Sequence, residues 1–347
     1  MLKLNETPVR TSRNFRINNI KLEDIELPEK LTKFNNIEIK AENSKISENV
    51  SNTKLRFGTG KELEENIIEN ANNKLKIETT GKKENIEIIY KFDDNNLKLI
   101  NNLEIIADGQ VDIIIKYESK TEKECFHNGI IKLKAKENAK VNICIINLLN
   151  DKTNNFEAIE NELQQNSDVN YTIIDIGAKN SISNYYSNII GNNAKNDLKT
   201  IYLGTGNQIK DINYIAHLIG EKTLVDIDVQ GALNDNAKKN FKGTIDFKKG
   251  CKKAKGNENE YCMLLSDTAK SIALPMLLCT EADVEGNHST ASGKAEKEAL
   301  FYIMSRGISY KEAIKLIIRA RFNKIIERIK DEKLQEKILE EIDRRLD

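Results

Sequence analysis

The sequence predicts a mainly β protein: a long stack of short strands closed by a small helical domain. Short runs rich in β-branched residues recur from about Leu75 to Thr290, separated by Asn, Asp, Gly and Lys clusters. From Ser309 the apolar residues change to helical spacing. A turn triplet supports the stack: Asn138-Ala139-Lys140, Asn193-Ala194-Lys195 and Asn236-Ala237-Lys238, with Thr268-Ala269-Lys270 as a variant, each come shortly before a strand. Their uneven spacing makes them a degenerate rung signature, not a fixed-period repeat. Small residues at tight corners around an Ile, Leu and Val interior fit a parallel β-helix, and a β-sandwich fits the periodicity almost as well. Helices are too scarce for the alternating α/β architectures.

In chain order, residues 1–74 are weakly patterned, with Pro8 and Pro28 as punctuators, short alternations such as Ile37-Glu38-Ile39, and one short helix from Lys61 to about Asn73. Gly58-Thr59-Gly60 completes neither a Walker pattern nor a GxGxxG and reads as a turn. Residues 75–290 form the strand-rich core. Its runs include Ile86–Tyr90, Val111–Ile115, Ile130–Leu133, Val141–Ile146, Val169–Ile176, Ser181–Ile190, Ile209–Ile219, Phe241–Phe247 and Ala273–Cys279. Glu157–Gln165 is the one candidate helix among them. Residues 291–347 form the helical domain. Ser309-x-x-Glu312 is a capping box, Ile314, Ile318, Phe322, Ile325 and Ile329 make one stripe, and a last helix beginning near Asp331 carries Leu334, Ile338, Ile342 and Leu346.

The chain's 347 residues are enough for a substantial core, and 54 basic against 54 acidic residues give no general argument for nucleic acid or an anionic membrane. With neither a signal-peptide pattern nor a stretch approaching the ~20 apolar residues of a membrane span, the sequence reads as cytoplasmic. Five cysteines without a Cys-x-x-Cys pair argue against a disulfide framework and a zinc ribbon.

Among residues able to carry chemistry, Cys262 and Cys279 flank the run leading to His288, and thiolate with imidazole suits iron-sulfur chemistry. The competing reading makes both cysteines small buried apolar residues and His288 a loop histidine bonded to a backbone carbonyl. Glu281, Asp283 and Glu285 alternate as if on one strand face, as metal ligands, as an acid and base pair, or as a solvated face. His127 and His217 have no ligand spacing, and no nucleophile elbow, P-loop or dinucleotide fingerprint is present.

Leu274-Pro275, Ala282-Asp283-Val284, His288, Leu300-Phe301-Tyr302 and Ser305-Arg306-Gly307-Ile308 follow one another in an order and spacing that resemble the C-terminal signature of the SufB/SufD proteins of iron-sulfur cluster assembly. Weaker matches at Gly204, Gln208, Asp211, His217, Gly231–Ala237 and Gly243 keep family order. The resemblance implies a right-handed parallel β-helix core and so decides between the two β architectures. His288 matches a histidine that both branches share, and Ser289 follows it where SufB proteins typically have Glu and SufD proteins Gly, so the sequence assigns neither branch. Counting back from Leu264-Leu265-Ser266-Asp267, the cysteine of SufB proteins would fall at Glu260, while this chain has Cys262; a shift of two keeps the same strand face.

The resemblance further implies a non-enzymatic scaffold that holds a transient iron-sulfur cluster, with Cys262 and His288 as metal ligands. It implies a SufC-like ATPase docked on the C-terminal helices, and association as a homodimer or a SufB/SufD-type heterodimer. A flavin is a further candidate cofactor, and no stretch identifies its site. The other function classes open to the sequence are a cytoplasmic β-helix enzyme, weakened by an aromatic content of 6%, and a structural or interaction module without cluster chemistry.

Overall fold

A computed structural model describes residues 1–11, 17–51 and 54–347. The chain opens with a small antiparallel ribbon, β1 (Leu2–Leu4) and β2 (Ile20–Leu22). Two short strands, β3 (Ile37–Lys40) and β4 (Lys45–Ser47), follow, and then helix α1 (Lys61–Asn70). From Asn73 onward the backbone winds as a β-solenoid of about eight turns. Each turn gives one strand to each of two parallel sheets.

The first sheet stacks β6 (Glu84–Phe92), β8 (Gln110–Ser119), β10 (Lys140–Leu148), β12 (Asp168–Ile176), β14 (Lys195–Gly204), β16 (Leu224–Leu233), β18 (Ala254–Leu264) and β20 (Val284–Gly293). The second stacks β5 (Asn73–Glu78), β7 (Lys98–Ala107), β9 (Phe126–Ala135), β11 (Asn154–Leu163), β13 (Asn180–Ile189), β15 (Ile209–Leu218), β17 (Lys238–Phe247) and β19 (Lys270–Cys279). At the opposite end from β19 and β20, β3 and β4 pair antiparallel to β6 and β5 and close the stack.

The fold follows from period-two alternation along each strand. In β8, Val111, Ile113, Ile115 and Tyr117 point inward, while Asp112, Ile114, Lys116 and Glu118 point outward. Corners are set by residues that tolerate the left-handed region: Asn138, Asn166 and Asn193 have φ of 62°, 56° and 58°, and their side chains hydrogen-bond from rung to rung at 3.0 and 3.1 Å. The alanines of the recurring triplet, Ala139, Ala194 and Ala237, are fully buried at these corners, where a larger side chain would have no room.

Both outer faces are covered. The ribbon and α1 lay Leu2, Leu4, Leu63 and Ile67 against Ile100, Phe126, Phe156 and Ile182 of the second sheet. Helices α3 (Tyr310–Ile326) and α4 (Glu332–Leu346) lay Ile318, Phe322, Ile338 and Ile342 against Ile146, Ile174, Ile201 and Met263 of the first. Ion pairs pin the helices at the rim: Lys337 to Glu118 and Lys330 to Asp112 at 2.6 and 2.7 Å, and Arg345 to Asp151. Ser309 caps α3 as expected, accepting from the Glu312 N–H, and Asp331 caps α4, accepting from that of Leu334. A short helix, α2 (Lys297–Met304), links the last strand to α3 and buries none of its residues. No helix among the described residues is long and apolar enough to cross a membrane.

Three expectations change. Glu157–Gln165 is strand rather than helix: Glu157, Asn161 and Leu163 alternate inward in β11, a polar interior that masks the strand pattern. Lys98–Ala107 and Val284–Gly293 are strands not marked in the sequence: Asn101-Asn102 interrupt the first, Gly, Asn, His and Ser fill the second, and neighbouring rungs supply the pairing. His288 therefore sits on a strand, which decides against its competing reading as a loop histidine.

Candidate functional site

Three inward columns of the first sheet change character at the end of the solenoid. The first runs Ile86, Ile113, Ile143, Tyr171, Leu198 and Ile227, then Glu258, then His288. The second runs Ile88, Ile115, Ile145, Ile173, Thr200 and Val229, then Glu260, then Thr290. The third reaches Tyr202, Gly231, Cys262 and Ser292. A hydrophobic interior thus becomes polar on its last two rungs, where no further rung has to be packed above it.

On β18 the alternation Gly256, Glu258, Glu260, Cys262 points inward and all four are buried. Glu260 is neutralised by Lys239 of β17: the two are fully buried at 2.8 Å, and the Tyr202 hydroxyl donates to the same Glu260 Oε1 at 3.0 Å. Lys239 also lies 6.0 Å from the Tyr202 and Phe241 ring centroids, within reach of their π faces. Glu258 has no such partner. It is 0% exposed, neither carboxylate oxygen makes a hydrogen bond, and its carboxylate lies against Gly243, where a Cβ would fall 2.1 Å away. Burial, with the neighbouring Glu260 charge adding to it, pushes the Glu258 pKa up to about 8.

The two expected metal ligands differ in access. His288 is exposed on the terminal strand. Cys262 is one rung in and fully buried, in register with Ser292. Burial raises its thiol pKa, and nearby Lys239 opposes the shift. Four residues of register separate Cys262 from the level of His288, about 13 Å along the strand. The two are not brought onto one ion, and a protonated thiol is a poor ligand. The displacement by two does keep the strand face, since Glu260 and Cys262 both point inward. Among the described residues no three His, Cys, Asp or Glu side chains converge to hold a metal ion.

The other candidates resolve as structural. His127 is buried between the Asn155 and Asn101 amide oxygens at 2.6 and 2.8 Å, and burial takes its pKa down to about 4. His217 is lowered to about 4 by the same cause, between Tyr186 at 3.2 Å and Asp246 at 3.5 Å. Glu281 lies in a turn, accepting from the Gly250 and Ala282 N–H groups at 2.9 Å, whereas Glu285 is on β20 and pairs with Lys255 at 2.9 Å. These carboxylates do not form one face, and all three are held outside the columns. Cys279 is the one exposed cysteine, its thiol donating to the Glu281 carbonyl at 2.9 Å. The buried Glu258 and Lys239 were not singled out from the sequence, and Glu260 only as the place where the SufB cysteine would fall. Their signal was the alternation Gly256-x-Glu258-x-Glu260-x-Cys262, a strand period written in polar residues.

Relatives share this core. The SufBD core domain of the SUF system of FeS cluster assembly matches residues 93–321. The iron-sulfur cluster assembly protein SufD of Bacillus subtilis is 24% identical over 265 residues, covering 75% of this chain and 61% of that protein. An iron-sulfur cluster assembly SufBD family protein of Pyrococcus horikoshii is 29% identical over 186 residues, 53% of this chain and 41% of its own length. The SufD of Escherichia coli is 29% identical over 114 residues, 33% of this chain and 27% of that protein. The chain spans less than two thirds of each of these relatives. The matched region runs from the end of β6 through β20 into α3, taking in most of the solenoid and its polar end, and the chain belongs to the SufBD family of FeS cluster assembly proteins.

Proposed function

We propose that the chain is a scaffold subunit on which an iron-sulfur cluster is assembled, with the open end of the solenoid as the place where iron and sulfide are received. The observation that carries this reading is His288, an accessible imidazole on the last rung, directly above the buried Glu258, in a chain of this family. An imidazole is a borderline ligand that accepts ferrous iron without a prior charge. Cys262, one rung in and about 13 Å along the strand, is a thiol reserve that becomes a ligand only if the last rung loosens and brings the two together. With His288 as the imidazole ligand at the end, the remaining coordination comes from sulfide, water and a second chain. The terminal strands β19 and β20 have free edges on which a second solenoid, identical or paralogous, can seat.

Energy for such opening is supplied in this reading by a SufC-like ATPase docked on α2 and α3. Phe301 and Tyr302 are 75% and 61% exposed, and large aromatics left in water on a short helix are typical anchors for a partner.

Anaerobic reconstitution with iron and sulfide, followed by visible absorption, tests the proposal. The parent chain is expected to develop sulfide-to-iron charge-transfer bands, His288→Ala to lose most of them, and Cys262→Ala to reduce them with the fold intact. A chain that binds its partners yet never develops these bands would instead be an interaction module.

A further inference from the structure

Glu258 is an expensive residue to keep. A buried carboxylate with both oxygens unpartnered opposes folding, and the column below it shows that an aliphatic side chain fits, with Ile227, Leu198 and Ile143 at the equivalent positions. Its in-register neighbours narrow what it can serve. Ile227 lies below it, Gly256 and Glu260 flank it along the strand, and Gly243 faces it across the interior. None of these side chains offers a hydrogen-bond donor. The rung above places His288 in register on the same face, one strand spacing away, about 4.8 Å. The imidazole is the one in-register neighbour carrying an N–H.

We infer that Glu258 is the positioning residue of His288: its carboxylate accepts one ring N–H, fixes the tautomer, and turns the other ring nitrogen toward the open end as a metal ligand. The inference rests on the proposed role of His288. A carboxylate behind a ligating histidine raises the basicity of the ring and locks its orientation, and loss of such a partner typically weakens metal binding by about 10- to 100-fold. Glu258 is suited to this because nothing else competes for it. Glu260, two residues on, already accepts from Lys239 and Tyr202. The Gly243 backbone gives the carboxylate space that any other residue there would fill. The contact requires the exposed imidazole to turn inward.

The test uses the full chain, Co(II) as the probe, and histidine-selective nitrogen NMR on the metal-free protein. Glu258→Ile continues the column's own residue type and removes the acceptor, while Glu258→Gln keeps an acceptor at the same place should the aliphatic variant fold poorly. The parent is expected to show His288 as a single tautomer. Glu258→Ile is expected to show mixed tautomers and Co(II) binding about 10- to 100-fold weaker, with Glu258→Gln between the two. Co(II) affinity in Glu258→Ile within twofold of the parent overturns the inference. So does weakened binding with tautomers already mixed in the parent, which would make Glu258 a direct ligand. If His288→Ala binds Co(II) as tightly as the parent, the role of His288 itself fails, and the two failures are told apart.

Discussion

Glu157 gives the sharpest test of the polar interior, away from the solenoid's end. It points inward from β11, is 2% exposed, and one carboxylate oxygen has no partner. Burial holds its pKa up at about 8, against an ordinary 4.5. The folded chain therefore keeps a proton that the unfolded chain releases, and stability falls as pH rises from about 4.5 to about 8. Each pH unit in that window removes about 1.4 kcal/mol, so at pH 7.5 the cost is on the order of 4 kcal/mol, a large part of the 5–15 kcal/mol that typically holds a folded protein. Glu258 adds a parallel slope from its own raised pKa. His127 and His217, lowered to about 4, act in the opposite sense: their contribution is present above about 6.5 and is lost as pH falls toward 4. From pH 6.5 to 8 the carboxylates outweigh the histidines, which in the unfolded chain are already half deprotonated at the start of that window. Urea midpoints measured from pH 6.5 to 8 should therefore decline in the parent, and Glu157→Gln should remove more than half of that decline. An unchanged slope in Glu157→Gln would refute the reasoning for Glu157 and leave the decline to Glu258.

Lys239→Met strands the Glu260 charge in the interior and should cost about 3–5 kcal/mol, with Lys239→Met/Glu260→Met recovering most of it in denaturant melts. Ile338→Ala opens a cavity between α4 and the first sheet and should cost about 2–5 kcal/mol, read as earlier exchange of α4 amides. Phe301→Ala, at a residue 75% exposed, should leave the melting temperature unchanged and weaken co-purification of the ATPase by roughly 2 kcal/mol of binding; a retained complex would move the docking site elsewhere.

What was legible in the sequence was whatever obeyed a local rule. The Val- and Ile-rich strands, the Ser309 and Asp331 caps and the Ile338 and Ile342 stripe each carry their own signal, and the Asn-Ala-Lys triplets carry the corners. The two-sheet winding did not follow from alternation alone, since a β-sandwich has the same period two; the family resemblance supplied it. The site was harder because its inner strands are polar. Glu258 and Glu260 look like solvated residues until the register places Ile227 and Val229 beneath them. β20 reads as a loop, since Gly286, Asn287, His288 and Ser289 have little strand propensity and are held by pairing with β18. The four-residue offset between Cys262 and His288 is likewise a property of register, which neighbouring rungs set.

The most direct measurement of the central claim is to locate iron itself. Crystals of the chain, with the proposed partners if these are needed for order, would be soaked anaerobically with ferrous iron and measured at the iron absorption edge. The account predicts an anomalous peak at the open end of the solenoid, within coordination distance of His288 and absent in His288→Ala. A peak elsewhere on the chain, with the His288 ring unoccupied, would contradict it.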